Sequence, residues 1–287
     1  MIIIDYSAIS ISNIVTQKID ADEDLIRHMI LNSIRMYSKK FKKAYGNVVI
    51  AADSYSWRRD YYPHYKANRR KDRSESDTDW EEIFRIIKLV LNEIDEHTPY
   101  KVIKVHGCEA DDIIGTLVEY TQEFIKSDLI GKDEKVMIVS ADKDFIQLQQ
   151  YSNVKQFSPM QKKVISHENP KRYLIEHIFR GDSSDGVPNV LSDDDTFVTG
   201  TRQSRLTQKK IDKWIEGIDN LSEVMSTSEF KNYTRNRKLI DLTCVPDELK
   251  REVIEQFETK ENVPKSKLLP YLISKRCKQL ISCIEDF

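Results

Sequence analysis

The chain has 287 residues, of which 39% carry apolar side chains and 32% are charged, with a formal net charge of -2. That length supports a sizeable core, and the high charged share without strong apolar depletion indicates a folded chain with a polar surface rather than a disordered one. No apolar run approaches the roughly 18 residues that span a bilayer, and the first one, Met1 to Ile4, stops at Asp5 with no basic flank, so neither a membrane span nor a secretory leader is expected and the cytoplasm is the expected location.

Four short apolar runs rich in β-branched residues read as buried strands: Ile2 to Ile4, Val48 to Ala52, Val102 to Val105 and Val136 to Val139. Between them the apolar spacing predicts amphipathic helices near 22–44, 79–96 and 109–126. Alternating strands and helices specify an α/β fold, a mainly parallel central sheet with helices on both faces. Beyond Gly181 the β-branched runs stop, and helices are predicted near 208–217, 222–233, 246–258 and 265–284. The expected division is an α/β domain over 1–180 and a smaller α-helical domain over 181–287. Residues 188–206, with turn formers and the acidic run Asp193 to Asp195, have no clean period and read as loop or irregular helix. Cys108, Cys244, Cys277 and Cys283 form no CxxC pair, which argues for reduced thiols and against a zinc site or disulfide framework.

Carboxylates follow the C-terminal end of every predicted strand: Asp5, then Asp53, then Glu109, Asp111 and Asp112, then Asp142 and Asp144. In an open parallel sheet that edge is where ligands bind. Asp182 and Asp185, in Gly181-Asp-Ser-Ser-Asp-Gly186, add two more. Any one of these acids alone is explained as a helix cap. The set is not, because two or three carboxylates within one turn repel one another unless cations neutralise them. Oxygen ligands with no histidine or thiolate among them point to magnesium or manganese, and their number to two ions, an arrangement suited to phosphodiester hydrolysis. No GxxxxGK[ST], GxGxxG or HExxH occurs, and Asp5-Tyr6-Ser7 lacks the second Asp of an aspartyl phosphatase.

Residues 53–73 hold seven Lys or Arg against three Asp, with Tyr55, Trp57, Tyr61, Tyr62 and Tyr65 interleaved. Cations that track phosphates and rings that stack on unpaired bases together describe a nucleic-acid-binding element. The segment as a whole is the expected contact surface, with Arg58, Arg59, Lys66, Arg69, Arg70 and Lys71 among its cations and Tyr65 among its rings.

These motifs resemble the 5′-nuclease family, which includes flap endonucleases, polymerase-associated 5′-3′ exonucleases and phage ribonucleases H. The matching stretches are Ile3-Ile-Asp-Tyr-Ser7, Trp57-Arg-Arg-Asp60 through Tyr65-Lys-Ala-Asn-Arg69, Glu109-Ala-Asp-Asp112, Ser140-Ala-Asp-Lys-Asp144 and Gly181-Asp-Ser-Ser-Asp185. The resemblance implies a 5′-3′ nuclease with flap and fork endonuclease activity that removes RNA primers and adjacent DNA from lagging-strand fragments in phage-type replication. It assigns Asp5, Asp53, Glu109, Asp111, Asp112, Asp142, Asp144, Asp182 and Asp185 to two magnesium ions, with manganese able to substitute. It further implies catalytic roles for Asp111 and for Arg58 and Lys66, which hold and polarise the scissile phosphate, and base stacking by Tyr65. Residues 53–80 would be an arch that orders only on DNA.

The expected substrates are forked, flapped or nicked DNA and RNA·DNA hybrid, met by a monomer. The family's Gly-rich hairpin and its potassium site are not expected after Gly186, so duplex contact falls to Lys209, Lys210 and Lys213 or to Arg202 and Arg205. With the first strand starting almost at once, a sliding-clamp peptide is less expected than contact with a single-strand-binding protein through the helical domain. Two other readings fit parts of the pattern: a compact single-stranded ribonuclease of the PIN type, and a structure-specific DNA-binding protein without catalysis. The first lacks an aromatic arch and a helical second domain. The second gains nothing from negative charge massed beside its phosphate-binding segment.

Overall fold

The computed structural model describes residues 1–17, 21–69, 78–124 and 134–287. In chain order the elements are β1 (Ile2–Asp5), α1 (Tyr6–Gln17), α2 (Glu23–Tyr45), β2 (Val48–Ala51), α3 (Arg58–Tyr61), α4 (Trp80–His97), β3 (Lys101–Ile103), α5 (Ala110–Glu119), β4 (Val136–Val139), β5 (Val154–Ser158), β6 (Lys163–Ile165), α6 (Pro170–Arg180), α7 (Gln208–Glu216), α8 (Leu221–Val224), α9 (Thr227–Ile240), α10 (Asp247–Thr259), α11 (Leu268–Ser274) and α12 (Lys278–Ile281). Packing divides them into two compact units, one of Met1–Tyr55, Asp77–Ser166 and Asp247–Phe287, the other of Ser56–Ser76 and His167–Pro246.

The first unit holds a six-stranded sheet in the order β3-β2-β1-β4-β5-β6, parallel except for the antiparallel pair β5 and β6. Every residue of β1, β2 and β4 is buried, as continuous apolar runs require in a sheet covered on both faces. Ile2, Ile4, Val48, Ile50, Met137 and Val139 face one apolar cluster with Ile26, Ile30 and Ile34 of α2 and Ile83, Ile86, Val90 and Ile94 of α4. The alternate residues Ile3, Val49 and Ile138 are equally shielded, and α5 packs against β1 and β2. Because β1 lies between β2 and β4, the strand order reverses there, which opens a crevice at the carboxyl ends of β1 and β4.

Two strands, β5 and β6, and three helices, α1, α3 and α6, go beyond the sequence expectations. The first helix, α1, starts directly at the end of β1, and Asp5 Oδ1 accepts the Ala8 N–H at 3.0 Å as its cap. Strands β5 and β6 are short and mix polar with apolar residues without a clean period of two, a weak strand signal.

Residues 247–287 also depart from the expected break at 180/181. They pack with the sheet, because Leu268, Tyr271, Leu272, Leu280 and Phe287 belong to the same cluster as α2 and α4. A buried ionic network joins them. Arg27 Nε donates to Glu93 Oε2 at 2.7 Å, the Tyr271 hydroxyl donates to the same oxygen at 2.9 Å, and Lys275 Nζ lies 2.6 Å from Glu93 Oε1.

The second unit is helical. Phe179 and Trp214 pack on Val190, Ile211 and Leu221, while Tyr62 and Tyr65 join Ile178, Val187, Leu239 and Ile240. Asn169 caps α6 with Pro170 at its first turn, and Ser226 with Glu229 forms a capping box on α9. Among the described residues no helix is long and apolar enough to cross a membrane.

Candidate metal centre and nucleic-acid interface

Seven of the nine expected metal acids lie in the first unit, at or just past the carboxyl ends of its strands. Asp5 is the last residue of β1 and is 7% exposed. Its Oδ2 accepts the Ser140 hydroxyl at 2.9 Å. Burial, reinforced by the charge of Asp53 and then of Asp142, pushes its carboxyl up to about 7, against the opposing hydrogen bonds from Ala8 and Ser140. Asp53 Oδ1 accepts the Ala110 N–H at 2.7 Å, which ties the loop after β2 to the start of α5.

Glu109, Asp111 and Asp112 form a close group within one turn. Each offers a carboxylate oxygen, and these oxygens lie within 4.8 Å of one another. Asp112 is fully buried and its Oδ2 accepts the Glu109 N–H at 2.9 Å, while Asp111 Oδ1 accepts the Asp112 N–H at 2.9 Å. The positive end of α5 offsets part of this charge, yet three carboxylates in one turn still favour a bound cation. The donors are all carboxylate oxygens, which fits a hard divalent ion such as magnesium or manganese.

Asp142 caps the 3-10 turn Lys143–Gln150, its Oδ1 accepting the Asp144 N–H at 3.0 Å, and Gln156 Nε2 on β5 donates to the Ser140 carbonyl at 3.1 Å and the Asp142 carbonyl at 2.5 Å. Capping and clustering therefore coexist. Asp22 and Asp79 make the same kind of cap on Leu25 and Glu82 at the amino ends of α2 and α4, so what distinguishes the site is convergence at one sheet edge.

The remaining site residues belong to the second unit. Gly181 begins the Gly-Asp-Ser-Ser-Asp turn at φ 69°, and a Cβ there would sit 2.4 Å from the Val187 carbonyl, so only glycine fits. Asp182 Oδ1 accepts the Ser184 N–H at 2.8 Å and its hydroxyl at 2.6 Å, and Oδ2 lies 3.5 Å from His177 Nε2. Burial raises the Asp182 carboxyl, but these hydrogen bonds and the His177 charge outweigh it and hold it well below the usual carboxylate range. Asp185 is engaged by three side chains: Tyr65 Oη at 2.9 Å and Lys66 Nζ at 3.4 Å on Oδ2, and Arg69 at 2.5 Å on Oδ1. The Lys66 N–H also donates to the Asp185 carbonyl at 2.8 Å, with Lys66 at φ 55°.

Residues 56–69 are thus packed rather than an unstructured arch. Arg58 is buried, its Nε donating to the Leu239 carbonyl at 2.7 Å and its guanidinium lying 5.0 Å from the Trp57 ring. Arg59 is half-buried on α3. The Tyr62 hydroxyl donates to the Asp194 carbonyl. Tyr65 is 3% exposed, its ring in the apolar cluster with Ile178 and Val187, and as placed it cannot stack on a base. The reason is tertiary: rings that pack against Ile178, Val187 and Leu239, far along the chain, are sequestered in the core of the helical unit. Arg70 and Lys71 lie outside the described residues. Lys209 and Lys213 are exposed on α7, as are Arg202 and Arg205 before it. Sequence reasoning missed His177, since a lone histidine in an amphipathic helix carries no signal of its partner. It also missed Ser140 as the donor to Asp5, although Ser140 opens the Ser-Ala-Asp-Lys-Asp motif.

Residues 5–176 match the family described as the 5′-3′ exonuclease, N-terminal resolvase-like domain, and residues 169–287 match the family described as T4 RNase H, C terminal. The chain therefore belongs to the 5′-3′ exonuclease family and is a nuclease. It is 33% identical to the ribonuclease H of Enterobacteria phage T4 over 298 aligned residues, covering 99% of this chain and 95% of that protein. It is 26% identical to a 5′-3′ exonuclease of Buchnera aphidicola over 228 residues, 75% of this chain and 71% of that one. A bacteriophage T5 flap endonuclease, solved as a pseudo-enzyme-product complex with DNA and metal ions, shares the fold with a TM-score of 0.62 at 16% identity, over 90% of this chain and 97% of that one.

Proposed function

We propose that the protein is a magnesium-dependent 5′-3′ nuclease that acts on RNA·DNA and DNA·DNA duplexes, trims RNA primers with adjacent DNA, and cuts 5′ flaps and forks. The observation that carries this reading is the convergence of Glu109, Asp111 and Asp112, their oxygens within 4.8 Å, at the sheet edge that also bears Asp5 and Asp53. Asp5, Asp53, Glu109, Asp111, Asp112, Asp142 and Asp144 would hold two divalent ions, with Asp182 and Asp185 assigned to them by the family pattern. When bound, such ions supply an activated water and neutralise charge on the phosphodiester. Lys66 holds and polarises the scissile phosphate, and Arg59, Arg69, Arg70 and Lys71 neutralise neighbouring phosphates, whereas Arg58, expected in the same role as Lys66, is buried on the Leu239 carbonyl and does not reach a phosphate as placed. DNA substrates, a single-strand-binding protein met through the helical region, monomeric action and work inside a phage-infected host follow from the same reading.

The test is a cleavage assay on 5′-labelled RNA·DNA hybrid, nicked duplex and flap substrates, in magnesium and in EDTA, with Asp111→Asn as control. Short 5′ products that require both the ion and Asp111 are expected. Tight binding of the same substrates without products would leave a structure-specific binding protein.

A further inference from the structure

Tyr55 and His106 form an exposed aromatic pair on the loop that follows Asp53 and the loop that leads into Glu109, Asp111 and Asp112. Their rings stack with centroids 6.0 Å apart and planes 18° from parallel, and Tyr55 is 43% exposed. Tyr55 follows Asp53 by two residues, and His106 precedes Glu109 by three. The loops are joined by the Ser54 N–H donating to the Cys108 carbonyl at 2.9 Å and by the Ala110 N–H on Asp53 at 2.7 Å. Chain geometry keeps Tyr55 within about 7 Å of Asp53, Cα to Cα.

The pair is also braced from behind. Gly107 adopts φ 92°, and a Cβ there would lie 3.1 Å from the Leu249 side chain, so α10 passes directly against the loop. Gln256 of the same helix accepts the Lys104 N–H at 2.7 Å and donates to its carbonyl at 3.3 Å. Two near-parallel rings, half-open to water and held on a fixed loop beside phosphodiester chemistry, have the build of a base-stacking platform.

We propose that Tyr55 and His106 stack on the nucleobase next to the scissile phosphate and so set the register of the strand against the carboxylates. The proposal rests on the nuclease reading. It assigns the base contact that Tyr65, buried in the second unit, does not make as placed.

The test uses the full-length protein and a flap substrate with 2-aminopurine beside the scissile phosphate, bound in calcium to prevent turnover, then cut in magnesium. Wild type and Tyr55→Phe should quench the fluorophore, whereas Tyr55→Ala and His106→Ala should not. Tyr55→Ala should also raise KM about ten-fold, within the range of single-base stacking, with a smaller change in kcat. On a substrate with an abasic site at that position, wild type and Tyr55→Ala should become equal. Cleavage by wild type with unchanged quenching and KM in both alanine variants overturns the stacking proposal and leaves the nuclease reading standing. No metal-dependent cleavage by wild type overturns the nuclease reading itself.

Discussion

Asp5 shows how a single carboxyl links stability to catalysis. Its folded value near 7 exceeds the ordinary 3.8, so the folded protein keeps a proton that the unfolded chain releases between those values. The stability from this group is complete below about pH 4 and is lost as the pH rises through 7. Asp5→Asn removes the buried charge while an amide still serves the Ala8 N–H and the Ser140 hydroxyl. In EDTA the variant should be more stable than wild type above pH 7 and indistinguishable below pH 4, by urea unfolding, while its cleavage is lost. A variant no more stable at pH 8 would contradict the raised carboxyl. The same proton must leave when a cation binds, so the thermal stabilisation produced by magnesium should shrink from pH 8 to pH 6. Asp111→Asn serves a different purpose, since it should remove cleavage with little loss of substrate binding.

At the scale of elements, the segment 56–69 is where cation chemistry and packing compete. Lys66 and Arg69 both lie on Asp185, and Tyr65 adds a hydrogen bond. Lys66→Ala should slow single-turnover cleavage by ten-fold or more, an order of magnitude typical of a positioned group acting on the transition state, while changing the substrate Kd less than three-fold. Equal single-turnover rates would remove Lys66 from the chemistry. Helices α2, α4 and α11 meet at Glu93, whose carboxyl is raised by burial but held lower overall by Arg27, Lys275 and Tyr271. Its contribution to stability is present above the ordinary glutamate value and is lost as the pH falls below it. Glu93→Gln should cost about 3 kcal/mol at pH 7, because Arg27 is left with only its partners Glu23 and Asp24, and the difference from wild type should narrow in acid.

Over the whole molecule, the elements that were legible in the sequence are those with one strong period and one burial environment. The four apolar runs became β1 to β4, and the 3.6-residue pattern of α2 and α4 matches their buried faces. Motif spacing placed seven acids on one sheet edge for the same reason, since strand ends are set by where apolar runs stop. What escaped is what depends on distant partners. Strands β5 and β6 are short and mixed in polarity, α1 carries no strong amphipathic stripe, and nothing local in 247–287 reveals that those helices return to the sheet. The fate of the aromatic residues in 53–69 was equally hidden: Tyr62 and Tyr65 are core and Tyr55 is surface, a distinction made by tertiary packing and not by composition.

Because 167–246 is inserted between two parts of the first unit, that unit needs both ends of the chain. Phe287 is fully buried among residues of α2, α4 and the strands, and Arg35 reaches Asp286 at 2.5 Å. A chain ending at residue 246 should lack a cooperative unfolding transition for the sheet unit, as read by tyrosine fluorescence or amide exchange. On the ribosome the consequence is one of timing. The Asp5, Asp53 and Glu109 loops emerge early, yet the helices of 247–287 that complete their unit are translated only after the inserted 167–246, so a nascent chain that has not reached them would carry an unfinished nuclease.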